Sequence, residues 1–437
     1  MRLRGPLLVV WCLFGTTAVG CTSAPRAQVV SAVEQRDLDG AMEAYTRLES
    51  VDGIDLAMLG EIGGLHLELA AISEDPAVRL AAVQQLAMGG TAARENLERL
   101  SNAEAAEPVV RARALQALAR RGDGHAKAVL YGLADSDDPE VAALALSVAD
   151  PAEDRARLLE ALRHPAASMR REAALRLGEG ELGREAILEL SDLARVDPEP
   201  RVRASAVRAL GSAGETAWDA IRARLSDPES SVRLAAIRSL VRVDRVRARG
   251  PIGVLLSAPP SPAALEAARV LAMAGEGEDA TVARAYLHSA ILAAGSTLRS
   301  QAAIALVSLP PDAATDDALR TALENEENRT VRLGLARALM QHEGSEAQAH
   351  EALEALTEGD DMAALQASLL LSGVADEAVD AIRRFLEEGD PLERRVAARG
   401  LARDAGRPDL VRPALNDEDA MVRIHAAGGL VAAASKG

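Results

Sequence analysis

Aspartate and arginine recur along this 437-residue sequence in short stretches of one kind, of which SDPESSVRLAAIRSLV (226–241) is an example. Each stretch places an Asp-Pro pair, or a close substitute, shortly before an arginine that follows an apolar residue. A carboxylate and a guanidinium at fixed spacing could bind charged ligands, or they could pair with each other and hold the chain in one shape. Because the same phase recurs about a dozen times, we favour the structural interpretation. The positions assigned to it are Asp75, Arg79, Arg111, Arg170, Asp197, Arg203, Asp227, Arg233, Arg299, Arg332 and Arg423.

Other residues that could do chemistry are scarce. The two cysteines, Cys12 and Cys21, both lie near the start of the chain, which excludes thiol catalysis and thiolate zinc sites from the body of the protein. The two lysines, Lys127 and Lys436, belong to no phosphate-binding loop motif, and no G-x-S-x-G motif is present. The seven histidines are scattered, and only His342 and His350 are followed by a glutamate. We therefore expect no enzymatic activity, no cofactor, no metal and no small-molecule substrate.

The elements that position these residues are predicted to be helices. Aromatic residues make up only 2% of the chain, so the core must be built from Ala, Leu and Val, which suit closely packed helices. Asp is a good N-cap and Pro is tolerated in the first helical turn, so each Asp-Pro pair predicts a helix start. Apolar residues then follow at helical spacing, and no alternation typical of strands is present.

The arginines of these stretches, or the residues that replace them at the same position (Ala142, Glu266 and Ala364 or Leu365), are 28 to 33 residues apart, which gives about 12 units between residues 58 and 437. A unit of about 30 residues with the pattern D-P-x-x-x-V-R-x-x-A-x-x-A-L and a terminal glycine resembles the HEAT repeat, in its short bacterial form. The resemblance implies an all-α fold, an α-solenoid of about 12 helix–turn–helix repeats. Stacked helix pairs would form a curved rod on the order of 100 Å long. Residues 29–57 are predicted to be N-terminal capping helices, and 58–437 the solenoid.

Some proteins with these repeats are enzymes, which provides an alternative function. Di-iron hydroxylases of this kind use several His-Glu pairs, and related bilin lyases use a Cys or Tyr beside acidic residues. This chain has two His-Glu pairs, His342-Glu343 and His350-Glu351, close together in sequence, and Tyr45, Tyr131 and Tyr286 are scattered. A HEAT-like lyase or hydroxylase, or a subunit of one, remains the alternative to a binding protein.

The first residues resemble a secretory leader. Arg2 and Arg4 precede an apolar run at 6–19, which at about 14 residues is too short to span a bilayer. The run ends in AVGC (18–21), similar to the lipobox of bacterial lipoproteins, and this resemblance implies lipid attachment at Cys21.

This comparison predicts a signal peptide at 1–20 and a lipid-anchored tether at 21–28. Ala18 departs from the usual leucine, which leaves an ordinary cleaved leader as the alternative. Thr22, rather than Asp, favours the periplasmic face of the outer membrane over the inner membrane.

The distribution of charge predicts a candidate binding patch. The chain has a net charge of −17, which disfavours nucleic acid as a partner, since duplex binding needs a basic stripe. Residues 111–250 are close to neutral and end in RSLVRVDRVRARGP (238–251), where Arg238, Arg242, Arg245 and Arg249 would share one face of a helix. These four arginines form a candidate partner-binding patch, the alternative being a solvated face balanced by nearby acids.

The sequence as a whole predicts an exported, lipid-anchored HEAT-repeat scaffold that mediates protein–protein interactions in the bacterial cell envelope. A structural spacer without a stoichiometric partner would have the same sequence features. The predicted partners are proteins of unknown identity and, through the anchor, a membrane.

Overall fold

The computed structural model describes residues 24–273, 277–293, 295–310, 312–341, 344–404 and 406–435. Within these ranges the chain forms 25 α-helices and four short 3-10 segments, and no strand. None of the described helices is long and apolar enough to cross a bilayer. The predicted all-α fold is confirmed.

The first thirteen helices are α1 to α13, at Ala24–Glu34, Leu38–Asp52, Leu56–Ala70, Pro76–Met88, Arg94–Asn102, Pro108–Arg120, Gly124–Tyr131, Pro139–Leu146, Arg155–Ala161, Ala167–Leu177, Arg184–Val196, Pro200–Leu210 and Trp218–Arg222. The remaining twelve are α14 to α25, at Ser230–Val243, Arg245–Gly253, Pro262–Ala272, Glu278–Ala293, Ser296–Val307, Ala313–Asn325, Arg329–Leu339, Glu346–Thr357, Met362–Leu371, Asp376–Glu388, Pro391–Arg403 and Ala420–Ala434. The 3-10 segments are Gly214–Ala217, Ala223–Ser226, Val254–Ser257 and Pro408–Asn416.

The predicted α-solenoid of about 12 repeats is also confirmed. Helices α3 to α24 form eleven successive pairs, and the 3-10 segment Pro408–Asn416 with α25 forms the twelfth. The prediction that Asp-Pro starts a helix is wrong at Asp197 and Asp227, where the N-cap lies two residues later, at Glu199 and Glu229. Several other second helices begin where the sequence indicates. For example, the Asp75 side chain accepts a hydrogen bond from the backbone N–H of Ala77, with Pro76 in the first turn of α4.

The helices lie in two layers. Each second helix packs on the second helix of the next pair throughout the array, whereas most first helices have few contacts with the first helices of neighbouring pairs. In a curved solenoid, the helices on the concave side lie closer to their neighbours than the helices on the convex side. The second helices therefore form the inner layer. This inner layer consists of α4, α6, α8, α10, α12, α14, α16, α18, α20, α22, α24 and α25.

The array closes on itself. Helix α25 packs against α24 on one side and against α3 and α4 on the other, so the last repeat is a neighbour of the first. The hydroxyl of Ser435 accepts a hydrogen bond from the backbone N–H of Ala92 at 3.0 Å, and Arg412 pairs with Glu49 at 3.0 Å. The expectation of an open curved rod was therefore wrong. We call the contact between α25 and helices α3 and α4 the seam.

Small residues allow the close approach at the seam. A Cβ atom added to Gly60 would lie 2.4 Å from the Cβ of Ala434, and one added to Gly63 would lie 2.8 Å from the carbonyl oxygen of Ala427. The runs EIGGLH (61–66) and HAAGGL (425–430) thus form one helix–helix interface, although they stand near opposite ends of the sequence.

The core consists mostly of Ala, Leu and Val and forms two buried clusters. One buried cluster lies within residues 142–378, and the other joins residues from 29–145 to residues from 364–431. The second cluster could not form in an open rod, since its two halves come from the two ends of the array.

The N-terminal segment continues this packing. Helices α1 and α2 pack against each other and on α3, with Val29 and Tyr45 fully buried. Residues 24–28, which the sequence assigned to the tether, form the first turn of α1, and Arg26 there pairs with Asp55 at 2.5 Å. Cys21 and the leader lie outside the described residues.

Candidate partner-binding surface

The recurring arginines link successive repeats to each other. The Arg203 guanidinium donates through Nε and Nη2 to the carboxylate of Asp227 in the next repeat, at 3.0 and 2.9 Å. Its Nη1 donates to the carbonyl oxygen of Asp197 at 2.9 Å, in the loop that precedes its own helix. Because Asp227 also accepts from the backbone N–H of Glu229 at 2.9 Å, one buried carboxylate shapes a turn and binds the neighbouring repeat.

Arginines at the equivalent repeat position make the same forked pair at four places among the described residues, which we call the arginine ladder. Its members are Arg170–Asp197, Arg203–Asp227, Arg299–Glu326 and Arg394–Asp417. Burial alone would raise the pKa of Asp227, but hydrogen bonds from Arg203 and the Glu229 backbone hold this pKa below its usual value. The guanidinium and the carboxylate of such a pair bind each other, so the ladder is not available to a ligand.

The other predicted repeat positions make simpler contacts. Arg79 pairs with Glu107 at 2.8 Å, while Arg233, Arg332 and Arg423 donate to carbonyl oxygens of their own loops. Arg111 makes no side-chain hydrogen bond or ion pair within the described residues. Sequence reasoning missed the acceptors Glu326 and Asp417, although each stands where neighbouring repeats have the Asp of Asp-Pro.

The four arginines predicted to form a binding patch do not share one helical face. Helix α14 ends at Val243, and Asp244 adopts an extended backbone conformation, with φ −154° and ψ 105°. Its side chain accepts from the backbone N–H groups of Val246 and Arg247, so it starts a new helix, α15, in the outer layer. The prediction failed because it extended one helix through an aspartate that acts as an N-cap.

The members of that row also differ in their surroundings. Arg238 lies on the inner layer and donates to Glu266 at 2.8 Å, whereas Arg249 is partly buried, with its Nε lacking a partner. Arg242 and Arg245 are exposed and have no ion pair within the described residues. These four side chains therefore do not form the single helical face that the sequence predicted.

A different basic surface results from the arrangement of the two layers. The inner-layer helices carry 23 arginines and four glutamates, with no Asp or Lys, a formal charge of +19 in a chain whose net charge is −17. The acidic residues are concentrated on the outer helices and in the loops. Eleven of these arginines pair with carboxylates, most of them in loops, so the unpaired positive charge of the inner layer is smaller than this formal charge.

The inner surface has a cavity of about 620 Å³ across α6, α8, α10 and α12, which we call the inner groove. Helix α8 has only 8 residues, and most of its side chains are small. The surface is therefore lower at α8 than at the longer helices on either side of it. The groove has an apolar floor that includes Ala143 and Leu144. Its charged side chains are Arg113, Arg120, Arg171, Arg201, Glu140, Glu172 and Glu199.

The charges in the inner groove are only partly neutralised. Arg113 pairs with Glu140, whereas Arg120, Arg171 and Arg201 are exposed and have no ion pair within the described residues. Burial raises the pKa of Glu172, although nearby arginines oppose this effect. Three guanidinium groups therefore face the lumen without a fixed carboxylate.

A buried histidine makes the stability of the seam depend on pH. His66 on α3 is 8% exposed and its Nδ1 has no partner; burial and the charge of Arg423 lower its pKa to about 4. The imidazole is therefore neutral in the folded state, and stability is lost as pH falls from about 6.5 towards 4. We expect a loss of about 2 kcal/mol between pH 7.5 and pH 5 from this group.

Denaturant unfolding of His66→Gln at the two pH values tests this expectation, because the variant should lack that part of the pH dependence. The exposed His125→Gln is the control and should retain it. An unchanged pH dependence in His66→Gln would show that His66 titrates normally.

The sequence matches the HEAT repeats family at residues 65–149, 155–241 and 187–272. The comparison with curated proteins gives no match. Among solved structures, YibA of Escherichia coli is 17% identical to this chain. The match covers 55% of this chain and 90% of the YibA chain, with a TM-score of 0.37. The CpcE–CpcF complex of phycocyanin lyase from a Nostoc species is 18% identical over 67% of this chain and 94% of its own, with a TM-score of 0.28. Human deoxyhypusine hydroxylase is 20% identical over 66% of this chain and 95% of its own, with a TM-score of 0.22.

Proposed function

We propose that this chain is an exported, lipid-anchored HEAT-repeat scaffold that binds partner proteins in the bacterial cell envelope, and the HEAT-repeat matches at residues 65–149, 155–241 and 187–272 support the repeat assignment. The observation that carries the binding half is the inner groove, where Arg120, Arg171 and Arg201 line one cavity without an ion pair among the described residues. The frame of helices around it costs little backbone ordering entropy on binding, because the ladder and the core already hold the helices in place. The anchoring half is supported by the leader and the AVGC sequence alone.

Lipid attachment is tested by expressing the full chain in a bacterium supplied with labelled palmitate. We expect the wild type to be labelled and to sediment with membranes, preferentially with the outer membrane. Cys21→Ser should lose the label and remain soluble. Cys12→Ser is the matched control, since this cysteine lies inside the apolar run of the leader and should be dispensable. A Cys21→Ser protein that is still labelled, or an unlabelled wild type, would refute the anchor.

Partner binding is tested by crosslinking in the native cell, followed by identification of the proteins that copurify. A scaffold should give a stoichiometric protein partner. If none is found, a spacer role is the better description.

We also propose that the protein binds rather than catalyses. Metal analysis and an absorbance spectrum of the purified chain address the enzymatic alternative directly. Stoichiometric iron or a bound chromophore would favour a lyase or hydroxylase.

A further inference from the structure

The partner chemistry can be inferred from the inner groove. We propose that the inner groove binds an acidic peptide segment of a partner protein, with an apolar side chain of that segment seated on the floor formed by α8. This inference rests on the proposed scaffold function and specifies which surface binds and what it recognises.

The first argument is charge complementarity. Arg120, Arg171 and Arg201 come from three different inner helices, and all three line one cavity without a carboxylate partner among the described residues. Guanidinium groups bind carboxylates through forked, charge-assisted hydrogen bonds, and the ladder shows this geometry four times within the same protein. The free arginines of the groove can make the same bond with a carboxylate supplied by a partner.

The second argument is the apolar floor. Ala143 and Leu144 lie at the bottom of the groove, between α6 on one side and α10 and α12 on the other. An apolar side chain placed there would lose its contact with water at a point surrounded by charge. A segment with acidic residues flanking a leucine or similar side chain therefore fits better than a uniformly charged chain.

The third argument favours peptide over nucleic acid. Glu140, Glu172 and Glu199 line the same groove as the arginines, and they would repel a chain that carries a phosphate at every residue. A peptide can place its carboxylates on the arginines and donate its backbone N–H groups to these glutamates. Subtracting the +19 of the inner helices from the net charge of −17 leaves a formal charge of −36 on the rest of the chain. This charge repels polyanions at long range.

The lumen is wide enough for such a segment to reach the groove. Twelve inner helices about 9 Å apart enclose a circle about 35 Å across between helix axes, which leaves an opening of about 25 Å after the helix diameter is subtracted. An extended chain, or a single helix about 10 Å wide, can enter from either side without opening the seam.

The experiment measures binding of a fluorescent 12-residue peptide of Glu, Asp and Leu to the purified full chain in non-ionic detergent, by anisotropy. We expect saturable binding that weakens as the salt concentration rises. The variant Arg171→Glu/Arg201→Glu should bind at least about tenfold more weakly, since two charge-assisted bonds are lost. The matched control Arg184→Glu/Arg222→Glu makes the same charge change on exposed outer-layer positions and should bind like the wild type.

Three outcomes would overturn the inference. If a peptide with Gln and Asn in place of Glu and Asp bound as tightly as the acidic peptide, the groove would recognise apolar side chains alone. Tighter binding of a DNA duplex of about 20 base pairs would make nucleic acid the ligand. Equal loss of affinity in the inner and outer variants would mean that net charge, and not the groove, governs binding. None of these outcomes affects the palmitate or crosslinking experiments, so failure of the groove is separable from failure of the scaffold.

Discussion

Replacing Gly63 with leucine is expected to open the ring. The added Cβ would lie 2.8 Å from the backbone oxygen of Ala427 and 3.3 Å from Cγ2 of Val431, and a backbone oxygen cannot rotate away. Helices α3 and α25 must therefore separate, which removes the buried surface of the seam. Overpacking of this kind costs about 1–3 kcal/mol before the contacts of the separated helices are counted. We expect a lower melting temperature and a larger radius of gyration by small-angle X-ray scattering.

The control for this substitution is Gly253→Leu. Gly253 lies at the end of α15, and an added Cβ would meet no atom within 4 Å. This variant should keep the wild-type scattering profile. If Gly63→Leu also keeps it, the seam can accommodate a larger side chain and the close approach of the two helices is not what closes the ring.

Removing the acidic partner of a ladder arginine should have the second large effect. The side chains of Arg203 and Asp227 are only 11% and 3% exposed, so Asp227→Ala leaves a buried guanidinium without its counter-charge. We expect a loss of about 3 kcal/mol or more in the free energy of unfolding, measured by denaturant titration. Replacing both residues, as Arg203→Met/Asp227→Leu, should restore much of that loss, since no unpaired charge remains.

An exposed pair on the outer layer provides the comparison. Arg195 and Asp192 lie one helical turn apart, and their side chains are 63% and 60% exposed. Asp192→Ala should therefore change the unfolding free energy by about 1 kcal/mol or less. Similar losses in Asp227→Ala and Asp192→Ala would contradict the structural role that we assign to the ladder.

The contrast between the two layers bears on how the protein would select a partner. An acidic outer surface repels polyanions at long range, while the inner groove that we propose as the binding site would attract carboxylates only at short range. Selection then depends on entry into the lumen. The groove at α8 is the point where charge and apolar surface occur together.

The sequence by itself determined the helices, their pairing and the number of repeats. These features are encoded locally: Asp75 and Pro76 start a helix, apolar residues at helical spacing define its buried side, and a glycine follows its end. The repetition of the pattern then indicates the solenoid, because each unit must bury its apolar side against the next. The structural interpretation of the recurring arginines came from the same repetition.

The tertiary structure alone decided which surface faces inward and that the ends meet. Closure depends on the small rotation added at each of twelve repeats, and on contacts such as the one between Gly63 and Ala427, which no local pattern connects. The tertiary structure also determined which residues form the candidate site. The arginine row at 238–249 looked continuous in sequence, yet Asp244 divides it between two layers. Arg120, Arg171 and Arg201, which are far apart in sequence, share one groove because the inner helices stack side by side.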